Sequence, residues 1–418
     1  MSVEVLTNWA GNYHYGAKVV HHPETLDALR RLASTRRSVR TLGTRHTFSG
    51  MGDAEELVAL DRFAGADEIT IDVDAMTVTV GPAVSYAQLA KALEGAGLAL
   101  ANMASLPHIS VIGAIATGTH GSGDALGNLA TSVKGMRLVT SEGEVLDIGQ
   151  SDPAFPGVVV HLGALGIVTR ITLAVEASFQ LSQRVYEGLE WAELATNFDA
   201  ITGAGRSVSV FHDFGERVRE VWVKGDPTEP ARPSLFGAVA ATGPRNPVPG
   251  AEPGFCTAQL GAPGPWCDRL PHFRAGFTPS AGAEIQSEWF VHRKHGVAAI
   301  AALRERLAPK IQPLLYISEM RTIAGDELWM SPQYQRDSIG VHFTWRREPD
   351  RVRALCVEVE AVLAPFSSRP HWGKAFEEPG PAVLQRYPRA ADFIILRDRL
   401  DPRGVFVNRW LSEKLWKS

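Results

Sequence analysis

The hydrophobic positions near the start of the chain first recur at the spacing of a helix. Between residues 24 and 37 an apolar stripe consists of Leu26, Leu29, Leu32 and Ala33. This spacing predicts an amphipathic helix. The run Val39–Leu42 then predicts a short strand, which leads into a loop that contains Gly43.

The spacing next changes to a period of two, which is typical of strands. The segments EITIDVD (68–74) and MTVTVGP (76–82) alternate on either side of a turn and predict a hairpin. Ser85 is the predicted start of the helix that follows. MRLVT and EVLDI, within 136–148, predict a second hairpin, and residues 166–176 predict a long strand. The unit is β-β-α rather than a repeating βαβ, which indicates an α+β domain.

A change of pattern near residue 178 predicts a domain boundary. Beyond it the segments become longer, polar and amphipathic, and the stretch 226–279 is rich in proline and glycine without sustained periodicity. Strands are predicted at 207–211, 219–225, 284–291 and 339–345, and helices at 297–307 and 352–363. This pattern favours an antiparallel sheet covered by helices. Near the end of the chain, LDPRGVFVN (400–408) predicts a turn and a short apolar element.

Length, composition and charge narrow the class of protein. The chain has 418 residues, 45% of them apolar, which is enough to bury two cores. A net charge of −4 and a pI near 6.4 give no basic field for nucleic acid or anionic lipid. A soluble protein with a small-molecule partner is therefore favoured.

The cysteines and the first residues bear on the compartment. Cys256, Cys267 and Cys356 are spaced like neither a metal knuckle nor a disulfide framework, which favours a reducing compartment. The N-terminus lacks the basic start and apolar run of a signal peptide, and no segment is apolar for long enough to span a bilayer. We predict a cytoplasmic protein that binds no membrane.

Two glycine-containing loops are candidates for binding an anion. They are residues 43–47 and the ATGTHGSG run at 116–123, whose GxxGxG order is not that of a dinucleotide fold. Backbone N–H groups, with the hydroxyls of Thr117 and Thr119, could clamp a pyrophosphate between the loops. The alternative is that each loop is only a tight turn, with His46 and His120 as surface or capping residues. No His, Cys or Asp set has metal spacing, and no GxSxG motif indicates a hydrolase.

Polar side chains also recur two residues apart on predicted strands of the second region, so that each pair shares one face. The pairs are Gln286 with Glu288, Glu319 with Arg321, and His342 with Thr344. One explanation is a sheet with a solvent-exposed face. The other is a pocket that accepts and donates hydrogen bonds to many hydroxyls, which this mixture of side chains favours.

The segment RPHWGKAF (369–376) adds further candidates. Lys374 follows an aromatic residue and a glycine, and His371 precedes it by three positions. The two could belong to the same pocket. The alternative is that Trp372 packs in the core and Lys374 is solvated.

Several of these motifs occur together in one known family. LGTRHTF (family pattern LGSGHSF), NMASLPHISVIGAIATGTHGSG, the ExR pair, HFTW, HWGK and DPRGVFVN follow in family order along nearly the whole chain. The chain thus resembles the vanillyl-alcohol-oxidase-type flavoproteins, and within them the alditol oxidases, relatives of the sugar-lactone oxidases. The resemblance implies an α+β protein with a PCMH-type FAD-binding domain (1–178), a substrate domain (179–376) and a C-terminal segment (377–418) that returns to the FAD domain.

The resemblance also implies roles for individual residues. The FAD diphosphate would be held by Thr41, Leu42, Gly43, Thr44, Arg45, His46 and Thr47, with the flavin bonded covalently to His46. The flavin would be lined by Ser105, Ser110, Gly113, Thr117, Gly118, Thr119, His120, Val168 and His371. The substrate would be bound by Ser105, Gln286, Glu319, Arg321, Thr344 and Lys374. Arg45 departs from the family pattern, which has a small residue there; it could face solvent, pair with a phosphate or slow flavin attachment.

The implied activity is oxidation of a terminal primary alcohol of a linear polyol to the aldose. Hydride would pass from C1 to flavin N5, the hydroxyl proton would go to His342 or Lys374, and Arg321 with Lys374 would stabilise the alkoxide. O2 would be reduced to H2O2, with the small Ala104 leaving access to the flavin. Alternatives are an aldonolactone oxidase, a dehydrogenase that ignores O2, and a binding protein with structural FAD. We expect a monomer without a metal.

Overall fold

The computed structural model describes residues 6–277 and 284–416. In the first part of the chain the described strands are β1 (Val19–His21), β2 (Arg40–Leu42), β3 (Glu56–Ala59), β4 (Ile69–Asp72), β5 (Thr77–Val80), β6 (Leu98–Ala99), β7 (Val133–Val139), β8 (Val145–Gly149), β9 (Ile167–Ala174) and β10 (Glu176–Ala177). β1, β3 and β2 form a parallel sheet, β10 pairs with β6, and β4-β5-β9-β7-β8 form an antiparallel sheet. Both predicted hairpins are confirmed, as β4–β5 and β7–β8.

The later strands form one large antiparallel sheet. They are β11 (Gln180–Leu189), β12 (Ser207–His212), β13 (Val218–Gly225), β14 (Ser234–Leu235), β15 (Ala238–Ala240), β16 (Gly264–Pro265), β17 (Glu284–His292), β18 (Leu315–Ile323), β19 (Ser338–Arg346) and β20 (Arg369–Pro370). Among the described residues their order is β14-β15-β11-β13-β12-β18-β19-β17-β20, with β16 paired to β11. The predicted boundary near residue 178 falls before β11 and stays a prediction. Residues 278 and 279, at the end of the proline-rich stretch, lie outside the described residues.

The helices of the described chain lie at the edges and on the faces of these sheets. They are α1 (Leu26–Thr35), α2 (Tyr86–Gly95), α3 (Val111–Ala116), α4 (Phe155–Val159), α5 (Trp191–Thr196), α6 (Phe198–Thr202), α7 (Gly296–Ile311), α8 (Pro349–Leu363), α9 (Gly380–Leu384), α10 (Ala390–Leu400) and α11 (Arg409–Leu411). Ser85 caps α2 as predicted, in a capping box with Gln88. No helix of the described residues combines the length and apolar content needed to cross a bilayer.

One face of the large sheet is covered by α7 and α8, which confirms the two predicted helices with slightly longer bounds. Leu303 of α7 and Val359 of α8 are fully buried in the same apolar cluster as Trp289 and Phe343 of the sheet. The rings of Trp289 and Phe343 meet edge to face, 5.8 Å apart. The polar residues at alternate positions of these strands must therefore project to the opposite face.

The end of the chain packs against its beginning. Val405 and Phe406 join the core of α1 and its neighbouring strands, and the backbone N–H of Val39 donates to the Val405 carbonyl at 2.9 Å. The carboxylate of Asp401 accepts from the N–H groups of Val405 and Phe406, both at 2.8 Å. The predicted turn and apolar element are thus present, held by these bonds rather than by a strand.

Some elements were not predicted. β1 and β3 are too short to show an alternating pattern. In the ten-residue strand β11 the buried positions include Ser182 and Gln183, so polar side chains interrupt the alternation. The side-chain nitrogen Nε2 of Gln183 donates to the carbonyl of Thr257 at 3.3 Å, a partner far away along the sequence. Local spacing could not show such a partner.

Candidate functional site

A cavity of about 870 Å³ is lined both by the glycine loops and by the polar face of the large sheet. Every residue predicted for the cofactor or the substrate lines it except Gly118, which lies at the turn behind Thr117 and Thr119. Its volume is within the range of pockets that take cofactors and small ligands. The structure thus brings together residues that are separated by more than three hundred positions in the sequence.

The loop 41–47 approaches the start of α3 closely. The N–H of Ser110 donates to Thr44 Oγ1 at 3.2 Å. A Cβ atom on Gly43 would lie 3.2 Å from Ser110 Oγ, and one on Gly113 would lie 2.6 Å from the same oxygen. Because these two glycines lack side chains, loop 41–47 and the start of α3 can lie close together, and their backbone stays exposed to the cavity. This is the kind of cradle that a diphosphate needs.

His46 lies in the same loop with one nitrogen unused. Its imidazole stacks on Trp9, with 5.3 Å between the ring centres and 22° between the planes. The Nδ1 atom is buried and has no hydrogen-bond partner. Burial lowers the pKa of His46 to about 4, so the ring is neutral. The histidine is therefore neither a surface nor a capping residue, and its unpaired nitrogen fits a cofactor that completes it.

Arg45 adopts a backbone conformation that favours glycine. Its φ is 61°, in the left-handed region. The guanidinium donates through Nη1 to the carbonyl of Thr7 at 3.1 Å, and the side chain is exposed. Of the three alternatives for Arg45, the structure favours a side chain directed to the protein surface. The φ value also gives a physical reason for the small residue in the family pattern.

The second glycine loop is a tight turn and also lines the cavity. Gly118 has a φ of 64°, as the turn interpretation requires. His120 is buried: its Nδ1 lies 2.8 Å from the Gly121 carbonyl and its Nε2 lies 3.1 Å from Glu288 Oε1. The two interpretations of this loop are therefore compatible, since the turn places His120 in the cavity wall against Glu288 and Phe290 of the large sheet.

Glu288 is the centre of a buried charge cluster. Its carboxylate is fully buried and lies 2.6 Å from Lys374 Nζ and 3.0 Å from Arg321 Nη2. Burial alone would raise its pKa, but Lys374, His120 and Arg321 hold the pKa of this carboxyl well below its usual range. Glu288 therefore stays ionised and fixes both cations. It was singled out on its strand but not predicted as a site residue.

The strand register aligns the charged side chains in a row. Glu288 of β17 is paired with His342 of β19, and His342 with Glu319 of β18. These residues are at most 7% exposed, as are Arg321 and Thr344. The alternative of a solvent-exposed sheet face is therefore wrong, because Ser105, His120 and residues 371–374 lie over this face.

Lys374 connects the row to the cavity. Its Nζ donates to Glu288 Oε2 at 2.6 Å and to His342 Nδ1 at 2.8 Å, and His342 Nε2 lies 3.0 Å from Thr344 Oγ1. Burial lowers the pKa of Lys374 below its ordinary value and holds that of His342 well below its own. The alternative interpretation of this segment, a packed Trp372 and a solvated Lys374, is half right. Trp372 is fully buried in the core, but the side chain of Lys374 is only 14% exposed.

His371 lies beside this cluster. Its backbone N–H donates to the Glu288 carbonyl at 2.9 Å, and its Nδ1 accepts from the N–H of Gly373 at 3.0 Å. His120, Glu288 and His371 have nitrogen and oxygen atoms within 4.8 Å of one another, a spacing that could hold a metal ion. Glu288 already pairs with Arg321 and Lys374, however, and these two cations oppose a third.

Several cavity residues have no counterpart among the sequence predictions. They include Trp9, Arg40, His161, Leu162, Gly163, Phe211, Phe255 and His272. Glu288 could have been predicted as a site residue, because it shares a strand face with Gln286, two positions earlier. His272 could not, since it lies in the stretch without periodicity.

Comparisons with known proteins agree with this geometry. Two family models match the chain: "FAD binding domain" over residues 17–149 and "D-arabinono-1,4-lactone oxidase" over residues 282–414. The alditol oxidase of Streptomyces sp. (strain IKD472) is 43% identical over 98% of this chain and 99% of its own. The L-gulono-1,4-lactone dehydrogenase of Mycobacterium tuberculosis is 26% identical over 98% and 99%. The crystal structure of cholesterol oxidase from B. sterolicum shares the fold, with a TM-score of 0.78 at 17% identity over 98% of this chain and 96% of that one.

Proposed function

Because the chain belongs to the family of the alditol oxidases, FAD-dependent enzymes related to the sugar-lactone oxidases, we propose that it oxidises linear polyols such as xylitol and sorbitol. The terminal primary alcohol becomes the aldehyde of an aldose, and O2 becomes H2O2. The observation that carries the proposal is the buried row Glu288–His342–Glu319 with Arg321 and Lys374, whose members except Glu288 line the cavity that the glycine loops also line. This row offers donors and acceptors for several hydroxyls at once.

The residues that hold FAD are proposed from the fit of the cavity. Loop 41–47 would provide backbone donors for the diphosphate. The flavin would be lined by Ser105, Ser110, Gly113, Thr117, Gly118, Thr119, His120, Val168 and His371, all of which line the cavity except Gly118. When bound, the flavin accepts the hydride at N5 and passes the electrons to O2. Ala104 lines the cavity and, being small, leaves room for oxygen there.

Lys374 is the proposed base. A neutral amine has two N–H bonds, and Glu288 Oε2 and His342 Nδ1 accept one each, which leaves the lone pair for the proton of the substrate hydroxyl. His342 is the weaker candidate, since Nδ1 accepts from Lys374 and Nε2 donates to Thr344 Oγ1. The hydroxyl hydrogen of Thr344 is then available to a substrate oxygen.

Arg321 is proposed to stabilise the alkoxide as it forms. Its guanidinium donates to Glu288 Oε1 at 3.0 Å and to Ser105 Oγ at 3.3 Å, and its Nε lies 3.5 Å from Glu319 Oε2. Of five N–H bonds, two remain for the substrate. Because the guanidinium is fixed from two domains, it needs little reorganisation when charge develops on the substrate oxygen.

Glu319 and Gln286 are proposed to bind the remaining hydroxyls. Arg321 and His272 hold the pKa of Glu319 well below its usual range, although burial alone would raise it. An ionised carboxylate accepts hydrogen bonds only, so it favours hydroxyls over ring oxygens and carbonyls. Chain length and stereochemistry are then read through hydrogen bonds.

The test is formation of H2O2 by the purified, flavin-loaded protein with xylitol in air. Peroxide in step with xylose confirms the proposal. No peroxide while the substrate bleaches the flavin would indicate a dehydrogenase, and no bleaching would favour a lactone or a binding role. A protein purified without flavin from cells that supply it would overturn the family assignment itself.

A covalent bond between His46 and the flavin is a further part of the proposal. The unpaired, buried Nδ1 atom of His46 supports it. Precipitation with acid should leave the yellow colour with the protein, whereas His46→Ala should release the flavin into the supernatant. Release from the wild type would show that the cofactor binds without a bond.

The second candidate is an aldonolactone oxidase, which the family match over residues 282–414 favours. Rates on xylitol and on L-gulono-1,4-lactone separate the two, because a lactone offers fewer donors to Glu319. A monomer in the cytoplasm completes the proposal; size-exclusion chromatography and fractionation of cells test these two points.

A further inference from the structure

Lys224 is a buried lysine outside the cavity. It lies on β13, is 1% exposed, and is among the largest fully buried side chains of the described residues. Its Nζ donates to the carbonyls of Leu270 and Pro271 and to Nδ1 of His272, the last at 3.1 Å. None of these three bonds goes to a carboxylate. Burial lowers the pKa of this amine to about 7, and a buried amine without a directly paired charge is costly to keep.

His272 connects this lysine to the substrate row. Its Nε2 lies 2.8 Å from Glu319 Oε1. Because an ionised carboxylate only accepts, Nε2 must carry the hydrogen and Nδ1 must accept from Lys224. Burial lowers the pKa of His272 to about 4, so the ring is neutral and has a single hydrogen to place. Lys224 therefore fixes the tautomer that Glu319 requires, and the amine can do so charged or neutral.

His272 also touches the first domain. Its backbone N–H donates to the carbonyl of Ser105 at 3.2 Å. One residue of the aperiodic stretch is thus bonded to two proposed substrate ligands, Ser105 and Glu319. Glu319 is held at Oε1 by His272 and approached at Oε2 by Arg321, at 3.5 Å. Because each carboxylate oxygen of Glu319 has a neighbouring donor, the carboxylate has little freedom to rotate.

We propose that Lys224 and His272 are a positioning pair that sets the affinity for polyols by orienting Glu319. The pair takes no part in hydride or proton transfer. The proposal rests on the proposed function, since it assumes that Glu319 binds substrate hydroxyls. It predicts a change in KM that is larger than the change in kcat, because the reacting alcohol lies at Lys374 and Arg321.

The test uses His272→Leu, His272→Gln and Lys224→Met with xylitol. Leucine removes the donor to Glu319, and loss of a hydrogen bond to a charged group should raise KM roughly ten- to a hundredfold. Glutamine keeps an N–H at a similar reach and should restore most of the affinity. Lys224→Met should raise KM by about tenfold, as the imidazole tautomer is no longer fixed. In each variant kcat should stay within about threefold of the wild type.

Control measurements separate the possible failures. His212→Leu removes another buried histidine, one whose nitrogens have no partner and whose ring packs on Trp191 and Phe214; it should leave KM unchanged. Flavin absorbance and thermal unfolding identify variants that do not fold, and the glutamine variant then still decides the question. If the wild type oxidises xylitol but His272→Leu keeps its KM, or if glutamine behaves like leucine, the proposal is overturned. If the wild type itself forms no peroxide with xylitol, it is the proposed function that is wrong, and this outcome is distinct from a failure of the positioning pair.

Discussion

The side of the cavity proposed for the cofactor and the side proposed for the substrate are built from different groups. The proposed cofactor side, residues 41–47 and 110–120, consists of a loop with Gly43, the short helix α3 and the turn at Gly118, with threonine and serine hydroxyls among them. The substrate side, on β17, β18 and β19 with Lys374, is made of buried charged side chains that pair with one another. One side depends on backbone shape and the other on charge balance.

The difference teaches how each side responds to change. A backbone cradle depends on φ angles and close approaches, so a single added Cβ is felt through sterics. A buried charge cluster depends on every partner, so removing one charge leaves another uncompensated. We therefore expect substitutions on the substrate side to have larger effects than those in the cofactor loops.

Lys374→Met should have the largest effect on catalysis. The variant lacks the amine that takes the substrate proton, so kcat/KM for xylitol should fall by roughly 10³-fold while flavin content is kept. Steady-state peroxide assays and the flavin spectrum measure the two quantities. Lys310→Met, at an exposed lysine that pairs with Glu358, is the matched control. A Lys374→Met enzyme within tenfold of the wild type would move the base elsewhere.

Glu288→Gln should have the largest effect on stability. At a pH below the pKa of Lys374, loss of the Glu288 carboxylate leaves two buried cations, Arg321 and protonated Lys374, without their shared counter-charge, which should lower the free energy of unfolding by about 3–5 kcal/mol. Urea denaturation of the flavin-loaded proteins measures this. Glu55→Gln, in an exposed pair with Lys18, should cost less than about 1 kcal/mol. Equal effects in the two variants would contradict the contrast drawn between buried and exposed charges.

The effect of pH on the rate should be smaller than the effects of these two substitutions, but it tests directly whether Lys374 is the base. Lys374 must be neutral to accept a proton, and burial lowers its pKa below the ordinary value for lysine. Activity is then present above this pKa, and kcat/KM falls about tenfold per pH unit below it. Lys374→Arg, which cannot lose its proton, should show a low rate without this slope. A wild-type rate that rises as the pH falls would have the wrong sign for Lys374 as base.

Arg45→Gly should have the smallest effect, and it should raise the stability of the protein rather than lower it. Relief of the left-handed conformation should raise the free energy of unfolding by roughly 1 kcal/mol, less what is lost with the bond to Thr7. Met76→Gly, at another exposed residue with φ of 51°, measures the relief alone. The fraction of flavin that stays bound after acid precipitation shows whether Arg45 also slows attachment. A destabilised Arg45→Gly would mean that the Thr7 bond outweighs the strain.

The sequence predicted the cofactor side better than the substrate side. Glycine loops are local, so Gly43 and Gly118 could be recognised from their neighbours. On the substrate side, alternation indicated that Glu319 and Arg321 share a face, but not that Glu288 and His342 would lie in the same row. Register between strands depends on turns and core packing far from the paired residues. For the same reason Lys224 and His272, which meet only through strand pairing and a long loop, had no signal in the sequence.

The contact of Asn408 with the beginning of the chain has a consequence for the order of assembly. Its side-chain amide donates to the carbonyls of Gly50, Met51 and Asp53, just after the loop that contains His46. During synthesis the chain grows from its N-terminus, at about 5–20 residues per second. The loop that contains His46 is therefore made early, but these bonds can form only after Asn408 has been translated, more than 350 residues later. FAD is expected to be retained stably only once Asn408 has reached this loop, and not by a nascent chain that stops before it.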